Sequence, residues 1–253
     1  MLLNIIHYCY YSMMNANHVK KLIFLLYIPL LALFFSCSAR IDGAVRDGGA
    51  AELRFQTALE PRAAALIRSL RGFMGGAADG PLLDAQAIAR SLGSAAGIRS
   101  LSLNNTGPQA LDGTISVSNI GDFLATSGAG SRFITFTEGR DSSSIVITVD
   151  RDSAPELIAR LSPEAEEYLT ALMAPAVLGE RSTRQEYLSL VASVYGRPLA
   201  DEIAAGRIRA SIEFPRPVRS VLGGNAAGRT ALFDIPLLDV LVLETPLRYE
   251  VRW

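Results

Sequence analysis

The chain has 253 residues, of which 49% are hydrophobic and 19% are charged, and its formal net charge is -1. These values are typical of a globular protein, and they exclude a disordered chain and the basic composition of most nucleic-acid-binding proteins. The charges are divided unevenly, because residues 1–36 hold both histidines and the only two lysines but no Asp or Glu. The later basic side chains are all arginine.

The first 36 residues have the pattern of a secretory signal peptide. A pair of lysines precedes fifteen uncharged residues, LIFLLYIPLLALFFS, at 22–36. A cationic segment, an apolar run of about 7–15 residues and a small residue before the cut define this pattern. The run is shorter than the ~20 residues of a spanning helix, and Pro29 would interrupt its hydrogen bonds. We therefore predict a signal peptide over 1–36, with Met13 or Met14 as its more ordinary start.

The leader ends in LFFSC, residues 33–37, which resembles the lipobox of bacterial lipoproteins and is similar to the relaxed, Phe-containing boxes of spirochaetes. The resemblance implies that Cys37 receives a diacylglyceryl thioether, that cleavage follows Ser36, and that the new amine takes a fatty acyl chain such as palmitate. Two or more acyl chains make such an anchor stable, since each buried methylene contributes ~0.8 kcal/mol. A transmembrane anchor or a plain secretory signal that happens to end in cysteine also fits the leader.

The chain beyond Cys37 lacks several residues on which enzymes depend. It has no histidine, no lysine and no further cysteine. Nucleophiles activated by histidine or lysine are therefore excluded, as are zinc and copper sites built from imidazole or thiolate. We predict no metal site, no cofactor and no catalytic residue. A glycan hydrolase that works with carboxylates alone stays open as an alternative.

The folded part is predicted to follow a short tether at 37–49. Leu53 and Phe55 alternate with polar residues, which indicates a strand over 51–57. Further elements follow in chain order: a helix from Pro61, a helix over 84–92, strands over 98–103 and 113–118, one or two helical turns in 118–128, and a hairpin around GRDS at 139–142.

The middle of the chain is predicted to be helical and the end to be a strand. Ser153 with Glu156 and Thr183 with Glu186 have the spacing of capping boxes, and Ser162–Pro163 is typical of a helix start. Alternation then predicts strands over 207–215 and 247–253. This order predicts one α+β domain over 50–253, in which helices pack on one face of a mostly antiparallel sheet and 152–206 is a helical insertion.

Two further segments allow a functional and a structural interpretation. Asp150, Asp152 and Glu156 could ligate Ca²⁺ through oxygen, but carboxylates at a helix start explain them better. The stretch FDIPLLDVLVLETP, at 233–246, is nearly continuous in apolar residues. It is either a buried element or a mobile one that contacts lipid or an apolar ligand. The side chains proposed for that contact are Leu237, Leu238, Leu241 and Leu243.

The stretch EFPRPVRSVLGGNAAGRTALFDIPLLDVL, together with the final aromatic strand, resembles the LppM-type lipoprotein domain over about the last sixty residues. That resemblance implies an α+β module that contacts lipids, and it implies no particular functional residue.

Taken together, the sequence predicts a non-enzymatic lipoprotein of the bacterial cell envelope that is membrane-anchored through Cys37. Its predicted partners are the membrane itself and either a hydrophobic ligand or an envelope protein. A purely structural partner-binding module is the alternative. The sequence does not distinguish the inner membrane from the outer.

Overall fold

The computed structural model describes residues 38–73, 80–92, 97–127, 133–158, 173 and 180–253. The predicted signal peptide, Cys37 and the predicted helix start at Ser162–Pro163 lie outside these residues. Within them, eleven strands and seven helices follow one another along the chain.

The strands are β1 (Ser38–Val45), β2 (Ala51–Ala58), β3 (Ile98–Gly107), β4 (Ala110–Val117), β5 (Ile134–Thr137), β6 (Ser144–Val149), β7 (Arg207–Glu213), β8 (Ser220–Leu222), β9 (Asn225–Ala227), β10 (Thr230–Pro236) and β11 (Leu247–Arg252). The helices are α1 (Pro61–Phe73), α2 (Ala85–Leu92), α3 (Ile120–Ser127), α4 (Ala154–Ile158), α5 (Arg184–Tyr195), α6 (Arg197–Ala205) and α7 (Leu237–Val242). The predicted α+β class with mostly antiparallel pairing is confirmed.

The larger sheet has seven strands in the order β3-β4-β2-β1-β7-β10-β9. All neighbouring strands in this sheet pair antiparallel, except β1 and β7, which run parallel. The first strand is therefore central, and it joins the strands that follow it directly to those near the end of the chain.

The prediction of a tether over 37–49 is wrong for residues 38–45, because Ser38–Val45 is a strand with neighbours on both sides. Its inward positions include Ala39 and Gly43, which are too small to give the strong alternation that marks β2. The paired strands β2 and β7 supply the larger side chains at these positions. A Cβ on Gly43 would lie 2.5 Å from Cδ2 of Leu53 and 2.7 Å from Cδ1 of Ile212.

A second sheet, in the order β5-β6-β11-β8, was not predicted. Its residues were expected in a single sheet, and the hairpin of β5 and β6 is confirmed within it. The two sheets meet where the rings of Phe214 and Trp253 lie 4.5 Å apart between centroids. Gly223 and Gly224 carry the chain from β8 in one sheet to β9 in the other. A side chain at Gly224 would collide with the carbonyl oxygen of Leu232, 2.5 Å from its Cβ.

The helix starts follow local hydrogen bonding. The capping box of Thr183 and Glu186 is confirmed at the start of α5. Before α4, the reciprocal bonds join Asp150 and Ser153: Ser153 N donates to Oδ1 of Asp150 at 2.8 Å, and Asp150 N donates to Oγ of Ser153 at 2.9 Å. The reciprocal pair thus lies three residues before the one predicted for Ser153 and Glu156.

The interior is apolar and lies on the inward face of the larger sheet. Strand residues such as Phe55, Ile115 and Ile208 are buried there, together with Ala64 of α1 and Ile203 of α6. The outward side chains of the same strands are polar and mostly exposed. The larger sheet therefore has one covered face and one open face.

We predict that Gly113→Ala destabilises the fold by about 1–3 kcal/mol, the usual cost of overpacking a core. Its Cβ would lie 2.5 Å from Cδ2 of Leu103 and 2.9 Å from the carbonyl oxygen of Ser102. Urea unfolding followed by circular dichroism measures the change. Gly107→Ala is the matched control, because the nearest atom to its Cβ is 3.8 Å away. Equal stability of the two variants would contradict the packing described here.

A second prediction concerns alkaline pH. Burial, aided by Asp239, raises the pKa of Tyr249 from 10.0 to about 12. The folded state therefore holds this proton more tightly than the unfolded state does, so its stabilising effect is full below pH ~10 and is lost as pH rises from there towards ~12. In the Tyr249→Phe variant, the urea midpoint should decrease less over this pH range than it does in the wild type. A pH profile of Tyr249→Phe identical to that of the wild type would contradict the prediction.

Candidate functional site

The open face of the larger sheet forms a concave groove of about 680 Å³, which we call the open groove. It crosses the sheet from β3 to β9. Its charged residues are three arginines and three aspartates, namely Arg40, Arg207, Arg209, Asp42, Asp112 and Asp234. The charges balance, so the open groove is neither strongly basic nor strongly acidic, and apolar residues such as Leu232 and Phe233 also line it.

Strand register aligns these side chains in a row. Arg40 lies opposite Gln56 on one side and opposite Arg209 on the other. The row continues through Asp112 beyond Gln56 and through Asp234 beyond Arg209. Side chains alternate between the two faces of a strand, so these residues all project outward while their neighbours in sequence project into the core.

Two arginines in the row are ion-paired at the surface. The distance from Arg40 Nε to Oδ2 of Asp42 is 2.7 Å, and that from Arg209 Nε to Oδ1 of Asp234 is 3.8 Å. The hydrogen bond from Arg40 to Asp42 raises the pKa of Arg40 further, so this side chain stays charged. Pairs this exposed contribute little to stability, so the same groups remain available to a ligand.

Two other charged groups in the open groove, Arg207 and Asp112, have fewer polar partners. Within the described part of the chain, no carboxylate oxygen lies within 4.0 Å of the Arg207 guanidinium. Oδ1 of Asp112 is buried there without a hydrogen-bond partner. Such an acceptor costs roughly 1–3 kcal/mol, so this position is not optimised for stability.

Arg207 lies at the end of the open groove where strand β1 begins. Ser38 is paired with Ala58 of β2 and with Arg207 of β7, and it follows Cys37 directly in the chain. Consecutive Cα atoms are about 3.8 Å apart, and paired strands are about 4.8 Å apart. Ser38, to which Cys37 is covalently joined, therefore lies about 4.8 Å from Arg207 at that end of the groove.

The four leucines proposed for lipid or ligand contact lie elsewhere. Leu237, Leu238 and Leu241 belong to α7, and Leu243 ends that helix with a φ of 48°. Their exposed fractions are 3%, 9%, 2% and 2%, and none lines the open groove. The structure therefore agrees with a buried element at this position, and direct contact with lipid would require α7 to leave the core.

The acidic residues weighed for Ca²⁺ do not form a metal site. Asp150 accepts the backbone N–H of Ser153 at the start of α4, and Asp152 is exposed. Across the residues that the structure describes, no group of three or more His, Cys, Asp or Glu side chains is arranged to hold a metal ion.

The open groove was not predicted from the sequence. Its signal is the alternation of arginine with apolar or small residues in SARID and RIRASIE, at 38–42 and 207–213. Alternation indicated which residues of the second segment face outward. It did not reveal that the two segments are neighbours, because that depends on the parallel pairing of β1 and β7.

Comparison with known proteins gives one structural similarity. The NMR structure of the folded domain of Mycobacterium tuberculosis LppM aligns with 85% of this chain and 87% of its own, with a TM-score of 0.40 and 9% identity. A similarity at this level assigns neither a family nor a function to this chain. No family model matches the chain, and no curated protein sequence matches it.

The described helices include none that is long and apolar enough to cross a membrane.

We predict that Leu241→Ala lowers the free energy of unfolding by about 2–5 kcal/mol, as is usual for a buried leucine. Arg209→Ala, in the open groove, should leave the urea midpoint near that of the wild type, since its side chain is exposed and makes one weak ion pair. Urea unfolding of both variants tests the assignment of core and groove. A Leu241→Ala protein of unchanged stability would show that α7 is not packed in the core.

Proposed function

We propose that this chain is a lipoprotein of the bacterial cell envelope, anchored in a membrane through acylated Cys37, and that its open groove binds a polar envelope component without catalysing a reaction. The LFFSC lipobox at 33–37 and the apolar run before it support the anchor. The charged and amide side chains of the groove support a polar partner.

One observation carries the proposal: strand β1 already includes Ser38, the residue immediately after the lipobox cysteine. Ser38 is already paired on both sides, so a lipid on Cys37 would attach directly to a central strand. The domain would then stand at the bilayer surface with little freedom to move away. The open groove would lie next to the membrane, within reach of components embedded in it.

The same geometry favours an envelope partner over a hydrophobic ligand. The leucines proposed for an apolar ligand are buried in the core, whereas the open groove carries six charged side chains beside apolar ones such as Leu232 and Phe233. Burying unpaired charges against an apolar ligand would be costly, but a polar partner can supply hydrogen bonds to them.

A carboxylate-dependent hydrolase finds less support. Such an enzyme needs one carboxyl group that donates a proton and a second that faces it across the substrate. Of the three carboxylates in the open groove, Asp42 and Asp234 are each paired with an arginine, and only Asp112 is outside such a pair. Together with the lack of histidine and lysine after Cys37, this supports a binding function rather than catalysis.

Metabolic labelling with palmitate tests the anchor, combined with mass spectrometry of the N-terminal peptide. The wild-type chain, expressed in a bacterium, should carry label and should begin at a triacylated or diacylated Cys37. Cys37→Ser should lose the label and keep its leader. Cys9→Ser, which alters the only other cysteine, should behave like the wild type.

Inhibition of lipoprotein signal peptidase by globomycin gives a second measurement. It should leave the wild-type leader attached. An unlabelled wild-type protein, or one cut at a site other than Ser36–Cys37, would overturn the proposed anchor.

A further inference from the structure

We propose that Arg40, Arg207 and Arg209 form a binding site for the phosphate group of a membrane-lipid headgroup. This inference rests on the proposed anchoring at Cys37, because the anchor places these side chains at the bilayer surface. It deepens the proposed function by naming the chemical class that the open groove recognises.

The three arginines are held together by strand register. Arg40 of β1 lies directly opposite Arg209 of β7, and Arg207 is two residues before Arg209 on the same face. Paired strands are about 4.8 Å apart, and alternate residues along a strand are about 6.6 Å apart. The three guanidinium groups therefore project from neighbouring positions on the same face of the larger sheet.

This placement brings three positive charges close together. Like charges directly opposite each other on paired strands repel, and here a third positive charge lies beside the pair. Asp42 and Asp234 compensate two of the three arginines. Arg207 has no carboxylate within 4.0 Å among the residues that the structure describes, so this guanidinium lacks a local counter-charge, although the open groove as a whole is neutral with Asp112 included.

Arginine is suited to a phosphate ligand in particular. Its planar guanidinium donates two parallel hydrogen bonds to phosphate oxygens, which a lysine cannot do. Both ion pairs are exposed, with 69% of the Arg40 side chain and 73% of the Arg209 side chain open to solvent. A phosphate can therefore share these guanidinium groups without first breaking a buried interaction.

Position decides between a lipid and a soluble phosphate. Arg207 is in register with Ser38, the residue after Cys37. If Cys37 is acylated, the layer of headgroup phosphates lies at the level of this end of the open groove. The ligand is then presented at high local concentration by the membrane that holds the protein.

The experiment uses the mature full chain in neutral detergent and titrates it by calorimetry with three probes: short-chain phosphatidylglycerol, short-chain phosphatidylcholine and inorganic phosphate. We expect phosphatidylglycerol to bind more tightly than the other two. Arg207→Ala should weaken its binding at least tenfold, and Arg40→Ala with Arg209→Ala should abolish it. Arg54→Ala removes an arginine from the same face of the sheet but outside the cluster, and it should change the affinity less than twofold.

Arg207→Gln serves as a second variant, and circular dichroism checks that each protein is folded. Equal affinity of the Arg207 and Arg54 variants for phosphatidylglycerol would overturn the site. Inorganic phosphate that binds as tightly as phosphatidylglycerol would overturn the lipid as its source.

The two proposals fail separately. Mass spectrometry of the same preparation reports whether Cys37 is acylated. Acylated protein that does not bind phosphatidylglycerol overturns this inference and leaves the anchor in place. Unacylated protein that binds phosphatidylglycerol through Arg207 retains the site and overturns the anchor.

Discussion

The pairing of β1 between β2 and β7 is the constraint on which the rest of the structure depends. This one strand connects the antiparallel strands that follow it with strands that come much later in the chain. Parallel pairing with β7 requires a long crossover, and the helices α4 to α6 lie within it. Without β1, the larger sheet would separate into two smaller pieces with exposed edges. Its small inward residues, Ala39 and Gly43, leave room for the larger side chains of both neighbours.

The same strand also determines what the open face presents. Side chains alternate along a strand, so Arg40 and Asp42 face outward while Ala39 and Gly43 face the core. Parallel register then places Arg209 beside Arg40 and Arg207 beside Ser38. The fold and the candidate site therefore both depend on the pairing of β1 with β7. A shift of one residue in this register would both unpack the core and dismantle the arginine cluster.

Local signals predicted much of the fold. The strand over 51–57, the helix from Pro61 and the capping box of Thr183 and Glu186 depend on residues close together in sequence, and all three are confirmed. The tether over 37–49 was predicted wrongly for residues 38–45 because β1 has small residues inside, and its burial comes from distant partners.

The division into two sheets was missed for a related reason. Alternation shows that a segment is a strand, but not which strand it joins. The apolar stretch that includes Leu237–Val242 was ambiguous because a helix buried on nearly all sides has no polar face. The open groove needed the β1–β7 register, which no short stretch of the sequence contains.

Hydrogen exchange of the backbone amides tests the central claim most directly. In the mature, acylated protein, the amides of 39–45 should exchange as slowly as those of 207–213, because a central strand donates every amide to one neighbour or the other. Exchange of 39–45 at the rate of an unstructured peptide, with 207–213 still protected, would show that this segment is a tether. The open groove would then be free of the membrane, and the arginine cluster would not exist.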